Sequence, residues 1–245
     1  MTLLSLLVFT VAQTSYQQYV PRQWQRTTSV ILHPIAAVDD PDVQVYIDSL
    51  SDDDLRPMEK WFFEQAQSYG ITVKPYQFQW GERVESMPPQ PPSVSNPLQA
   101  AWYSLKFRGF ASTQTPATLT QWAKVHIYFL VHPADSAENL HSVALQRGLV
   151  ALVQARGSRL NHDQNMVILA HELLHTVGAT DKYDMVGNPV YPDGYASPDQ
   201  LPLYPQQMAE ISAAQVAIRP GLSKLVDSLQ NAKVGKLTAT EIGWR

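Results

Sequence analysis

The chain reads as an α/β (α+β) fold, and three observations carry that reading. Short β-branched or alternating runs take turns with helical patterns up to about residue 178, the order that builds a sheet covered by helices. One segment around residue 170 is apolar on nearly every side, as a helix buried inside a domain must be. Beyond it the periodic patterns give way to turn residues, which marks a smaller, loop-rich portion. With 245 residues, 44% hydrophobic and 16% charged, the chain suits one domain with an ample core. Wholesale disorder is excluded.

The elements follow in order. Residues 1–12 are apolar and uncharged, too few for the about 20 that span a bilayer and without the basic start of a signal peptide. They read as the remnant of a membrane anchor or signal, a membrane tether that makes an extracytoplasmic or membrane-anchored location the expectation. A floppy apolar terminus, or a strand added to the core, is the plainer alternative. Residues 1–28 are then segment and linker, and 29–245 form the domain, with an upper part to 178 and a lower part from 179.

Ser29–Ile35 is a short β-branched run and reads as a strand. Asp40-Pro41 opens a helix, because proline at the first helical position is preorganised for it. Ser51 with Asp52, Asp53 and Asp54 starts another, the carboxylates facing the positive end of the helix dipole. A calcium loop is the sharper reading of that acidic run, but its ligand spacing and glycine are absent. Leu55, Met58, Phe62, Ala66 and Tyr69 recur at helical spacing until Gly70 stops them. Tyr76, Phe78 and Trp80 alternate with glutamines, a strand buried on one face. A stiff proline-rich connection, Pro88 to Pro97, leads to a helix over 98–110 and a strong strand over 124–131. The runs 141–146 and 149–155 flank Arg147-Gly148 and suggest a hairpin or sharp bend. At the far end, 238–244 reads as a small helix packing Ile242 and Trp244.

Composition narrows the chemistry. Eighteen basic against 22 acidic residues, a net charge of −4, argue against a protein dedicated to nucleic acid. The absence of cysteine excludes a disulfide scaffold, a thiol nucleophile and any sulfur-ligated metal. It leaves the compartment open, the cytoplasm included. A metal here must be held by nitrogen and oxygen.

The informative stretch is Asn161 to Asp184 (NHDQNMVILAHELLHTVGATDKYD). Asn161 and Gln164 form a capping-box pattern. Set into the apolar helix that follows are His171, Glu172 and His175. Three ionisable groups in a buried helix are costly unless something pairs with them, and a divalent metal supplies that partner. His171 and His175 lie about 40° apart around a helix and one turn along it, so both imidazoles can reach one ion. Glu172 flanks the same face, placed to hold a metal-bound water as general base. Gly178 falls where the helix needs a left-handed terminator, so the chain can turn back and present Asp181 as an oxygen ligand. Three protein ligands and a water make the open coordination of a catalytic zinc. The His-Glu-x-x-His pattern is expected by chance only about 0.006 times in a chain of this composition, which sets aside two ordinary surface histidines.

Alternatives for the third ligand are Glu210, 35 residues after His175, and the neighbouring Asp184. His162 is about half a turn away around the helix and cannot share the metal. His33, His126, His132 and His141 are assigned no role. Tyr183 can lean over the site as an oxyanion donor, or be simply a packed tyrosine.

At these residues the sequence resembles the zincin metallopeptidases, and more narrowly the metzincin-like group, whose extended signature is matched by His171, Glu172, His175, Gly178 and Asp181. The aspartate in last place is similar to that of the snapalysin-type enzymes. The resemblance implies a mixed, mostly parallel sheet with an antiparallel edge strand, packed on the active-site helix and followed by a small lower subdomain. It also implies one catalytic zinc, peptide or protein substrates, and a methionine turn beneath the metal, for which Met185 and Met208 are the downstream candidates and Met208 the better placed. A substrate chain would lie along an exposed sheet edge, for which 141–146 is the candidate. The proline-rich segment and the stretch 186–204 are candidate walls of the cleft. The function expected is zinc-dependent peptide-bond hydrolysis with Glu172 as general base. A non-enzymatic metal- or peptide-binding module, or a zinc hydrolase of a non-peptide amide, are the alternatives.

Overall fold

A computed structural model describes residues 23–92, 96–114, 124–137, 140–145 and 149–245. The apolar stretch 1–12 and the Arg147-Gly148 turn lie outside the described residues. Among the described residues no helix is long and apolar enough to cross a membrane.

The first strand, β1 (Thr28–Ala36), leads into α1 (Pro41–Asp48). Asp40 stays extended and its carboxylate accepts the amides of Asp42 and Val43, which leaves Pro41 to set the first helical φ. The acidic run forms one 3-10 turn, Asp52–Leu55, closed by Ser51 donating to Asp54, before α2 (Arg56–Gln67). Its carboxylates meet protein partners: Asp52 accepts the Trp80 amide and Asp54 pairs with Arg159. α2 ends near Gly70, whose φ is +83°. In β2 (Tyr76–Trp80) Tyr76 and Phe78 are buried and the glutamines between them exposed. Then come α3 (Pro97–Gln114), β3 (Lys124–His132), β4 (Val143–Leu145), β5 (Val150–Arg156) and α4 (His162–Thr176).

The five strands lie in the order β2-β1-β3-β5-β4. The first four are parallel, and β4 joins antiparallel at the edge, with Leu145 opposite Val150. The fold is thus the mixed, mostly parallel sheet with an antiparallel edge strand that was expected. Parallel strands are covered on both faces. On one face Leu32, Ile127, Phe129, Ala151 and Val153 pack with α4 through Met166, Val167, Ala170, Leu173 and Leu174. On the other, Tyr128, Leu130 and Leu152 meet Tyr103 and Phe107 of α3.

The first of these cores continues past α4 into the lower part through Ala209, Ile211, Val226, Ile242 and Trp244. It also reaches back to Trp24, inside the stretch read as N-terminal segment: the indole donates to the Ile242 carbonyl and packs edge-on against Tyr76 and Trp244. The lower part holds a second sheet, β8-β7-β6-β9, made of β6 (Ala209–Glu210), β7 (Gln215–Arg219), β8 (Leu222–Leu225) and β9 (Ala232–Lys233). The sequence predicts only loops there, because strands this short carry no readable period. The last helix, α5 (Lys236–Glu241), starts two residues ahead of the expected 238.

Candidate metal centre

The helix that carries the site begins at a different residue from the one expected. Asn161 is already helical and makes no side-chain cap; Ser158 is extended and its hydroxyl accepts the Leu160 amide, starting a 3-10 turn over Arg159–Asn161. What fixes α4 to the sheet is Asn165, whose side chain accepts from the Arg156 amide and donates to the Arg156 carbonyl. With its first turn bolted to the end of β5, the helix carries His171, Glu172 and His175 to the edge of the sheet at a set height. His162, at the other end, is bonded to the Tyr46 hydroxyl and takes no part.

Beyond Thr176 the chain reverses at Gly178, where φ is +105°. This is the left-handed conformation that glycine adopts without strain. The reversal brings Asp181 back over the helix. His171 and His175 present their Nε2 atoms 2.9 Å apart. Asp181 Oδ1 lies 3.3 Å from the first and 3.0 Å from the second. The other nitrogen of each ring is committed: His171 Nδ1 donates to the Ile211 carbonyl at 3.0 Å and His175 Nδ1 to the Ala179 carbonyl at 2.8 Å. Those bonds fix the rotation of each ring and leave the Nε2 lone pairs facing the carboxylate. Three lone-pair donors converging on one point repel one another unless a cation or proton lies among them. The group is one that could hold a metal ion, and the only such group of histidines and acids among the described residues.

The electrostatics agree. Burial opposes a charge on His175, but the Asp181 carboxylate bonded to it, helped by Glu172, outweighs that and lifts its pKa to about 9. Asp181 resists ionisation through burial, yet its bonds to His171 and His175 hold it far below the ordinary carboxylate range. Glu172 differs in kind. It is buried, and burial raises its pKa against the pull of the two histidines. Tyr183 lies over His171, ring centroids 6.1 Å apart and planes at 24°. Burial and the neighbouring Asp181 charge push its phenol pKa up, which keeps it a proton donor.

Glu172, His175, Ala179, Asp181 and Tyr183 line a cleft of about 380 Å³ whose opposite wall is Ser142, Val143 and Ala144, at and just before β4. Among the described residues neither the proline-rich segment nor 186–204 lines it. The described part of the candidate edge, 141–145, is therefore beside the cleft, at the end of the sheet.

Several sequence-level expectations need correction here. Glu210 is no ligand: it is wholly buried and its two oxygens accept from the amides of Ser212, Ala213 and Gly235 and the hydroxyl of Thr238. With four donors on it, no lone pair points at the histidines. Asp184 accepts the amides of Val186 and Asn188 within its own loop. Neither methionine lies beneath the histidines. Met185 is fully exposed, and Met208 lines a separate groove with Met58, Trp61 and Met166. The turn that supports His171 is 210–214, and it acts through the backbone carbonyl of Ile211.

The sequence reading missed Glu241. It accepts the Thr180 amide and hydroxyl and pairs with Lys182 at 2.8 Å, gripping the residues on both sides of Asp181. One signal could have found it: a lone carboxylate in the apolar stretch TATEIGW asks for a partner.

The structure thus defines a class of site, two histidines and an aspartate beside a buried glutamate in a cleft bounded by a sheet edge. No family model matches the chain, and no curated protein matches it.

Proposed function

We propose that the chain is a zinc-dependent endopeptidase of the zincin type. The observation that carries this reading is the convergence of His171 Nε2, His175 Nε2 and Asp181 Oδ1 within 3.3 Å, with Glu172 on the same cleft. Ligand atoms about 2.0–2.1 Å from a tetrahedral zinc stand about 3.3 Å apart, so the set fits zinc with little adjustment. Two imidazoles and one carboxylate, with no fourth ligand side chain among the described residues, also suit a catalytic zinc better than a hard cation that prefers oxygen alone.

Zinc, when bound, supplies a Lewis acid that polarises a scissile carbonyl and acidifies water. The chain supplies the rest. His171, His175 and Asp181 hold the ion, and their backbone partners keep the rings from turning away. Glu172, its basicity raised by burial, takes the proton from the attacking water and passes it to the leaving amine. Tyr183 lines the cleft, and its hydroxyl, bonded to Asp181 in this structure, would have to turn from that carboxylate to donate to oxygen charge that develops on the carbonyl. β4 ends the sheet, so an extended peptide can add there as one more strand and be drawn across Glu172. This edge favours a chain substrate over a small amide. The carboxylate also favours catalysis over mere binding, since a metal-holding module has no use for a buried base. The aspartate ligand is similar to that of the snapalysin-type enzymes, while the turn beneath His171 lacks their methionine.

The test is metal analysis with casein cleavage, wild type against Glu172→Gln. One zinc per chain in both, with cleavage lowered about 10²–10⁴-fold in the variant, is the expected result. Equal zinc and no cleavage by either protein would overturn the peptidase reading in favour of a binding module.

A further inference from the structure

Asp181 is the exposed member of the metal-binding group, and it sits on a segment with no regular structure. A loop carboxylate left to itself must be ordered at the moment it binds, and that ordering weakens binding. Here the ordering is already in place. Before Asp181, the Thr180 amide donates to Glu241 Oε2 at 3.0 Å and the Thr180 hydroxyl to Oε1 at 2.7 Å. After it, the Lys182 amide donates to the Ser212 carbonyl, and the Val190 amide to the Lys182 carbonyl. The Lys182 ammonium closes the ring, donating to Glu241, the Thr180 carbonyl and the Thr180 hydroxyl at 2.7–2.8 Å, with its side chain only 4% exposed.

The side chain of Glu241 comes from α5, 60 residues further along the chain. α5 is itself fixed by burial of Ile242 and Trp244 and by the Trp24 indole on the Ile242 carbonyl. The bonds of Glu241 to this segment go to Thr180 and Lys182, the neighbours of Asp181. Resting on the metal-site reading above, we propose that Glu241 is a positioning residue: through Thr180 and Lys182 it holds Asp181 in ligating position, so that metal affinity depends on the C-terminal helix. Ser212, beside the Ile211 carbonyl that aligns His171, anchors the other side of the same segment. One turn of the lower part therefore holds both a ring and a loop.

The experiment measures zinc affinity of the full-length chain by chelator competition, together with the absorption spectrum of the cobalt(II)-substituted protein. Wild type, Asp181→Ala, Glu241→Ala, Glu241→Gln and the double variant Lys182→Met/Glu241→Leu are compared. Glutamine can still accept the Thr180 amide but takes away the charge that pairs with Lys182, so E241Q falls between wild type and E241A. E241A weakens zinc about 10–100-fold, the usual effect of removing an outer partner of a ligand, and shifts the cobalt spectrum. The double variant replaces the partly buried ion pair with apolar side chains, an exchange that folds tolerate. It keeps the test decisive where E241A leaves Lys182 unpaired and unfolds, and it weakens zinc by the same factor. Wild-type affinity and an unchanged cobalt spectrum in the folded double variant would overturn the proposal while leaving the metal site standing. Wild type binding zinc no tighter than D181A would overturn the metal-site reading itself.

Discussion

The two sides of the candidate metal centre are built in opposite ways. The residues before Gly178 deliver His171, Glu172 and His175 on one helix packed into the main core. The residues after it deliver Asp181 on an irregular segment tied by polar contacts to Ser212 and Glu241. The helical side depends on apolar contact, which is non-directional and tolerates small shifts. The other depends on hydrogen bonds to a backbone carbonyl and to the partly buried Glu241, which fix position closely and fail when one partner is lost. A site of this kind has a rigid jaw and a jaw held by bolts.

That contrast can be broken by mutation. The largest effect belongs to the helical side. Leu174→Ala, at a fully buried position of α4, removes packing from the core and is expected to lower stability by about 2–5 kcal/mol. Urea unfolding of the metal-free protein measures it. A loss under 1 kcal/mol would mean that α4 is less firmly packed than its contacts indicate.

On the other side, Glu210→Gln is the matching change. Glutamine cannot accept all four donors that Glu210 does, so one end of its amide faces a backbone N–H. The expected cost is about 1–3 kcal/mol, with weaker zinc binding as the Ile211 carbonyl moves. Unchanged zinc affinity at reduced stability would show that the 210–214 turn supports the fold alone.

The smallest effect per step is one of acidity, about 1.4 kcal/mol for each pH unit, and it sharpens the comparison at the point where the two jaws meet. His175 is held protonated by Asp181, with its pKa raised to about 9. A raised pKa means that zinc must displace a proton at any pH below it. Apparent affinity should therefore climb about tenfold per pH unit and flatten above about pH 9. Competition titrations across that range give the slope, and a flat profile would mean that no such proton is displaced.

The same contrast explains what the sequence revealed. Apolar periodicity is a local property, so α4, β3 and β5 were legible from runs such as Lys124–Val131. His171, Glu172 and His175 stood out because charge is conspicuous against such a background. Gly178 was readable because few residues other than glycine accept its φ. The support of His171 was not readable, since Ile211 acts through a carbonyl that every residue possesses. The attention given to Met208 shows the hazard of seeking a side chain where the backbone does the task. Glu241 was hidden by distance, 61 residues from Thr180, and Glu210 by a chemistry that suits a ligand and an anchor equally well.

Asp181 has one more consequence. Its side chain is 48% exposed, against 8% and 17% for His171 and His175. An ion entering or leaving this site meets the carboxylate first, while the imidazoles stay screened by the helix and its surroundings. On the proposed metal reading, exchange is expected to follow how often the 179–182 segment lets go rather than any opening of the core. Affinity and exchange are then expected to change together at Thr180, because both pass through its contacts with Glu241.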